Sequence, residues 1–417
     1  MSTTTPATTA RATTAPREGH GRVAPLLKWP GGKARELPLI LDLAPASFER
    51  YFEPFLGGGA MLFALPPSVP AYVNDASADL MALYASVARQ DPSFYAVLEA
   101  IDGWWERLRA LVEASGDALV DAFVSLRHER RPERRQHDGI PALLAARRHE
   151  LRATVPPLLA GLSDGFVSDV ETAVPRKVAR MRQVEVERRT ELSEPDAWAN
   201  IEGAIKASCY TTLRRAYNAS RRAGGASSER AALFLFLREY AYAAMFRFNA
   251  AGEFNVPYGG VSYNRKSLAR KIEHLRSEPV SDRLRGTVLA STDFAEFLTA
   301  HEPGPDDFAF LDPPYDSDFR DYDHQGFGPR DHERLASALE ALACRFLLVI
   351  KATPLTRRLF ARPGWQVLAA DKTYAWTIKD RNDRRAVHLL VTNYEHDGGQ
   401  AAITPAVGQP GTGRRRG

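Results

Sequence analysis

An α/β fold with a mainly helical insertion is predicted by three observations along this 417-residue chain. Short apolar runs closed by turn or acidic residues alternate with stretches of helical spacing, a pattern that argues a sheet with helices on its faces. Three consecutive glycines, Gly57-Gly58-Gly59, stand between one such run and the helical-looking Ala60-Met61-Leu62-Phe63. Glycine allows a tight turn there and close approach of the backbone to a ligand. Between about 86 and 284 the texture becomes long, helical and rich in Arg, Ala and Leu, which argues an inserted unit.

In chain order, residues 50–55 read as a strand running into Gly57. Residues 71–74 read as the next, ending on Asn74-Asp75 about 20 residues past the first glycine. In doubly wound sheets an acid at that place takes ribose hydroxyls. Gly57-x-Gly59 has no third glycine in the dinucleotide position, so a cofactor smaller than a dinucleotide is expected. The run 287–291 leads to Asp293, which suits the N-cap of a helix opening Phe294-Ala295-Glu296. Phe308-Ala309-Phe310-Leu311 reads as a buried strand that ends in Asp312-Pro313-Pro314-Tyr315. Asp331 to Leu342 carries helical spacing, and further strands are read at 346–351, 365–369 and 386–393. Residues 376–393 look like a closing hairpin turning at Arg381-Asn382-Asp383-Arg384-Arg385.

The tetrad at 312–315 is chemically pointed. Asp312 accepts hydrogen bonds from an exocyclic amine, Pro313 and Pro314 lack N–H and offer carbonyls alone, and Tyr315 supplies a face for stacking. Together they suit a flat, nitrogen-bearing ring. A Pro-Pro turn after a strand is the plainer reading of the same residues.

Composition narrows the class. The chain is 44% hydrophobic, enough to bury a real core, and its net charge of +4 with an arginine-heavy basic set suits an anionic partner. Cys209 and Cys344 sit in no metal or redox spacing, so no metal is expected and a reducing cytoplasm is the default. No stretch approaches the length of a membrane span. Residues 1–22 and 398–417 read as disordered tails, the second of them basic and closed by Arg414-Arg415-Arg416.

Four blocks resemble the Dam-type, D12-class DNA adenine-N6 methyltransferases. They are Leu27-Lys28-Trp29-Pro30-Gly31-Gly32-Lys33, then Phe52-Glu53-Pro54-Phe55-Leu56-Gly57-Gly58-Gly59, then Arg247-Phe248-Asn249 with Gly252-Glu253-Phe254-Asn255-Val256-Pro257-Tyr258-Gly259, and the tetrad Asp312 to Tyr315. The resemblance covers roughly 24–85 and 205–395. It implies a Rossmann-like methyltransferase sheet with an antiparallel last strand and an inserted, mainly helical DNA-recognition domain. The implied layout is a catalytic domain at 23–85 and 285–397, a helical insertion of unassigned role at 86–204, and a target-recognition domain with a hairpin at 205–284.

It further implies S-adenosyl-L-methionine as cofactor, held by Trp29, Lys33, Phe55, Gly57, Gly59, Asp75, Asp293 and Asp312. Catalysis falls to Asp312, Pro313, Pro314 and Tyr315, and contact with double-stranded DNA to Lys28, Arg247, Asn249, Asn255 and Pro257. An adenine inside a duplex is out of reach, so base flipping is implied. Gly31-Gly32-Lys33 is not a phosphate loop, because Ala34 replaces the hydroxyl residue and the spacing is wrong. Neither cysteine has the Pro-Cys context that cytosine-C5 methylation needs. Gly260-Val261 and Ala243 depart from the GATC-specific relatives and leave the target open.

A monomer on DNA is expected, in the cytoplasm with the nucleoid, with a cognate restriction endonuclease as a candidate partner. Two other readings stay open: an RNA-adenine or cytosine-N4 methyltransferase, and a catalytically silent DNA-binding anti-restriction protein. Residues 100–200 match nothing in the family pattern, and their arginines suit either phosphate contacts or a solvated face paired with glutamates.

Overall fold

The computed structural model describes residues 13–14, 23–125, 139–225, 227–314, 327–373, 385–395 and 404–405. These fall into two compact units. A sheet unit is built from the chain up to Tyr84 and from Glu278 onward, and a helical unit from Ala85–Ser277.

The chain enters through α1 (Leu37–Leu43), β1 (Tyr51–Glu53), β2 (Ala71–Asn74) and α2 (Ala78–Ala88). Among the described residues seven helices follow: α3 (Pro92–Ser125), α4 (Gly139–Ala146), α5 (Arg148–Thr154), α6 (Ser163–Arg188), α7 (Glu194–Ala223), α8 (Ser228–Tyr240) and α9 (Ala269–Arg276). The return comprises α10 (Glu278–Arg285), β3 (Thr287–Ala290), α11 (Phe294–His301), β4 (Phe308–Leu311), α12 (Pro329–Ala341) and β5 (Arg345–Lys351). It closes with α13 (Pro354–Phe360), β6 (Gln366–Thr373), β7 (Arg385–Thr392) and the two-residue β8 (Thr404–Pro405).

These strands make one sheet in the order β8-β6-β7-β5-β4-β1-β2-β3. Strands β3, β2, β1, β4 and β5 run parallel, while β7 is antiparallel to β5 and β6. The α/β reading holds, and so does the antiparallel closing strand. Connections leave β1 in opposite directions across the sheet, so a crevice is expected at the carboxyl ends of β1 and β4, the switch point where open α/β sheets bind ligands.

Burial follows from the pattern of side chains. β4 is buried at every position, as a central parallel strand covered on both faces must be. Phe346, Leu348 and Ile350 of β5 pack on one face with Phe297 and Leu298 of α11, Leu335 and Leu339 of α12, and Phe360 of α13. On β3 the side chains are only partly buried and Val288 is exposed, as suits an edge strand.

The closing hairpin differs from the sequence reading. The closing hairpin pairs β6 with β7, from Gln366↔Thr392 to Thr373↔Arg385, so its first arm lies upstream of 376 and Arg385 belongs to a strand. The rest of the expected turn, 381–384, lies outside the described residues. The sheet unit resumes at Glu278. Within it, the buried guanidinium of Arg283 in α10 donates to the carbonyls of Pro66 (2.5 Å) and Val69 (2.8 Å).

In the helical unit, residues on either side of 204 fold together. Helix α3 packs on α7 and α8, and α6 lies along α7. Trp104 and Trp105 of α3 are fully buried, with Trp105 edge-on to Phe236, Tyr240 and Tyr258. Several arginines of the insertion meet acids: Arg148 pairs with Glu171, Arg152 with Asp164 (2.7 Å), Arg182 with Glu185 (2.5 Å) and Arg215 with Asp169 (2.6 Å). Pairing of this kind accords with the face paired with acids, although Glu185 is buried rather than solvated. The basic run Arg127 to Arg135 lies outside the described residues.

The tails are described only at Thr13–Thr14, which pair with Ser47–Phe48, and at Thr404–Pro405, which pair with β6.

Candidate active site

The glycine turn sits at the carboxyl end of β1, and its geometry requires glycine twice. Gly57 and Gly59 have φ of +50° and +71°. A Cβ at 57 would lie 2.8 Å from the Trp29 indole, and one at 59 would lie 2.6 Å from the Tyr84 hydroxyl. The Gly57 N–H donates to Asp75 Oδ2 at 2.9 Å, and its carbonyl accepts from Tyr84 Oη at 3.2 Å. Trp29, Gly57, Gly59 and Asp75 therefore share one place. Asp75 Oδ1 also accepts from the Ser77 N–H (2.9 Å), so this carboxylate is already oriented by two backbone donors.

Asn74 is a residue that sequence reasoning passed over. It is buried, donates to the carbonyls of Pro54 (3.0 Å) and Thr292 (3.1 Å), and accepts from the Thr292 N–H (2.9 Å). It thereby ties the ends of β1, β2 and β3 together. A polar residue closing an otherwise apolar strand was the available signal.

Asp293 proves to be the N-cap of α11, accepting from the Ala295 N–H at 3.0 Å and from Arg334 at 2.6 Å. Phe55 packs near it on Phe294 and edge-on to Phe327, with ring centroids 5.4 and 5.6 Å away. Capping fixes where the carboxylate stands.

Asp312 follows β4, and its Oδ1 forms an ion pair with the Lys33 ammonium across 279 residues of sequence. Lys33 Nζ also donates to the Gly31 carbonyl at 3.0 Å. Pro313 is buried and Pro314 exposed, while Tyr315 lies outside the described residues.

Behind this pair is a buried polar group. Glu53 accepts from the Tyr51 hydroxyl at 2.8 Å. Burial pushes the Glu53 carboxyl well above the usual carboxylate range, with the negative charges of Asp312 and Asp75 pushing the same way and the Tyr51 bond opposing. Burial likewise lowers the Arg283 guanidinium to about 10, with Tyr51 and Glu53 pulling it back up. It also raises the thiol of Cys209 well above its ordinary value and that of Cys344 to about 12, so both stay protonated and poor as nucleophiles.

The hairpin of the third block lies in the helical unit. Phe248 bridges Phe254, and Asn249 Oδ1 accepts from the N–H groups of Ala251 (3.0 Å) and Glu253 (2.9 Å), an Asx turn completed by Gly252 at φ +73°. Asn249 thus builds the turn. Arg247 Nε donates to Asn255 Oδ1 at 3.2 Å, so those two side chains support each other, and Pro257 is exposed.

One face of α7 carries the hairpin from below. Tyr210 and Arg214 donate to the Val256 carbonyl (both 3.0 Å), Asn218 pairs with the Phe254 backbone, and Arg221 donates to the Gly252 carbonyl (2.8 Å). Their spacing of four, four and three residues is one helical stripe. Lys28, in the sheet unit, is exposed.

A family model described as D12 class N6 adenine-specific DNA methyltransferase matches residues 29–150 and 193–375. The chain belongs to that class. Members of the D12 class are S-adenosylmethionine-dependent as a class, and this chain is a DNA adenine-N6 methyltransferase by its membership. The match narrows the unmatched stretch from the expected 100–200 to 151–192, which is mostly α6.

Relatives agree with the D12 assignment. The chain is 30% identical to the Type II methyltransferase M.CviBI of Paramecium bursaria Chlorella virus NC1A over 39% of this chain and 61% of that protein. It is 22% identical to the Type II methyltransferase M1.LlaDCHI of Lactococcus lactis subsp. cremoris, over 89% and 95%. A third, the Type II methyltransferase M.MjaIII of Methanocaldococcus jannaschii, is 24% identical over 75% and 78%.

Proposed function

We propose that the carboxyl ends of β1, β2 and β4 hold S-adenosyl-L-methionine beside an adenine flipped from double-stranded DNA, and that Asp312 receives that adenine's amino group. The observation that carries this is the meeting of Asp312 with Lys33 on the sheet that also sets Asp75 against the glycine turn.

The donor set fits the cofactor. Asp75 supplies an oriented carboxylate for ribose hydroxyls, while Phe55 and Trp29 supply flat apolar surface beside the turn. When bound, S-adenosylmethionine supplies an electrophilic methyl on a sulfonium. The N6 lone pair of adenine is delocalised into the ring. Asp312 and the Pro313 carbonyl would accept the two amino hydrogens, which lets the nitrogen pyramidalise and turn its lone pair toward the methyl donor, and the proton it sheds on methylation would pass to solvent. This is positioning with electrostatic stabilisation, and it needs no covalent bond to the enzyme. Pro314 shapes the turn and Tyr315 stacks on the base.

In the same reading Asp293 faces the cofactor's adenine, and Arg247, with Asn255, Pro257 and Lys28, contacts DNA. Asn249 contributes by shaping the hairpin. A cognate restriction endonuclease is the partner in this same reading. The enzyme works as a monomer in the cytoplasm, where the nucleoid is.

The test is transfer of labelled methyl to unmethylated plasmid, with Asp312→Ala alongside and single-molecule sequencing of the product. N6-methyladenine at one recurring motif, lost in the variant, is the expected result. Label in RNA, at cytosine N4, or nowhere despite cofactor binding would replace this reading with one of its rivals.

A further inference from the structure

We infer that Lys33 is a positioning residue that acts on methyl transfer through Asp312, keeping that carboxylate ionised and aimed, rather than by holding the cofactor. The inference rests on the proposed role of Asp312 as acceptor for the adenine amine.

The Lys33 side chain is 2% exposed, so protein groups must satisfy its ammonium. Its first anchor is rigid. The Gly31 carbonyl belongs to a tight turn in which the Gly32 N–H donates to the Trp29 carbonyl (3.1 Å) and Gly31 takes φ +79°. From that anchor Nζ reaches Asp312 Oδ1. Asp312 itself stands just past the end of β4, where the ladder no longer fixes the backbone. Lys33 therefore supplies a fixed point against which the carboxylate is set.

Charge gives the second argument. Asp312 is 18% exposed and has the Glu53 carboxyl behind it, with Asp75, Tyr51, Tyr84 and Arg283 around Glu53 in turn. Burial pushes the Glu53 carboxyl toward its protonated form, while the Asp312 carboxylate lies in ion-pair contact with the Lys33 ammonium. An amino group presents two donors, and only an ionised carboxylate offers acceptors alone. A protonated Asp312 would turn a donor toward a donor. Removing the ammonium makes ionisation harder and releases the side chain.

The experiment uses the full chain, with Lys33→Met and Lys33→Arg each made alone and in an Asp312→Asn background. kcat and the KM for S-adenosylmethionine are measured at saturating plasmid between about pH 5 and pH 9. Lys33→Met is expected to lower kcat about 10²-fold, the cost of a small misplacement of a reacting group, while KM changes less than about threefold. The acid limb of its kcat profile should move to higher pH. Lys33→Arg, which keeps the charge, should recover at least about tenfold of the loss, and that recovery also separates the effect from misfolding.

The double variant Lys33→Met/Asp312→Asn should be no slower than Asp312→Asn alone. A raised KM with kcat and pH profile unchanged would overturn the inference, as would a defect that multiplies that of Asp312→Asn. Methyl transfer at the full rate by Asp312→Asn would instead remove the reading of Asp312 on which the inference stands.

Discussion

Gly59→Ala tests whether the glycine turn is as tightly determined as its geometry implies. Alanine at φ +71° costs about 1–2 kcal/mol of backbone strain. Its methyl would also stand 2.6 Å from the Tyr84 hydroxyl, which must move and so release its bond to the Gly57 carbonyl, about 1 kcal/mol more. The sum is about 2–3 kcal/mol, equivalent in a unit of this size to a fall in melting temperature of about 5–10 °C.

Thermal melting of the intact chain measures it, and a Tyr84→Phe background separates the two terms. Without the hydroxyl, Gly59→Ala should cost only the backbone part, giving a coupling of about 1 kcal/mol between positions 59 and 84. A fall below about 2 °C, or equal falls in the two backgrounds, would refute the account of why glycine stands at 59.

Three further outcomes are expected. Glu53 has a folded-state pKa raised above its unfolded value, so its contribution to stability is full below the ordinary carboxylate range and fades as pH rises through the raised value. Glu53→Gln should accordingly gain in melting temperature relative to the natural chain as pH rises from about 5 to about 9, and a constant difference would contradict the protonated carboxyl. Buried, protonated Cys209 and Cys344 should resist alkylation in the native chain at about pH 8, with methyl transfer undiminished; rapid loss of activity would show a thiol at work. Arg247→Ala should weaken discrimination at one base of the target by about 1–3 kcal/mol, read as methylation at sites differing at that base; uniformly weaker binding with specificity intact would place Arg247 on phosphate.

Much of the sheet was legible because its signals are local. The runs at 71–74 and 308–311 are strands over those same residues, since a buried strand needs an apolar run and a stop, both written in adjacent residues. The glycine turn was legible for a similar reason, as positive φ at Gly57 and Gly59 is a demand on two single positions. Residues that act by tertiary contact were not. Tyr84 reads as one more apolar position of a helix until its hydroxyl is seen under Gly57, and Arg283 reads as a surface charge until Pro66 and Val69 are seen to enclose it.

By itself the sequence determined the α/β class, the order of the strands along the chain, the acid and glycines at their ends, and the family to which they belong. Each of these depends on residue type at short spacing, which periodicity and motif record directly. Only the tertiary structure decided that Lys33 meets Asp312 across 279 residues, that Asn74 joins three strand ends, and that one stripe of α7 carries the hairpin. Those contacts arise from the order in which strands pair and helices pack, and that order is chosen by the burial energy of the whole chain rather than by any one segment.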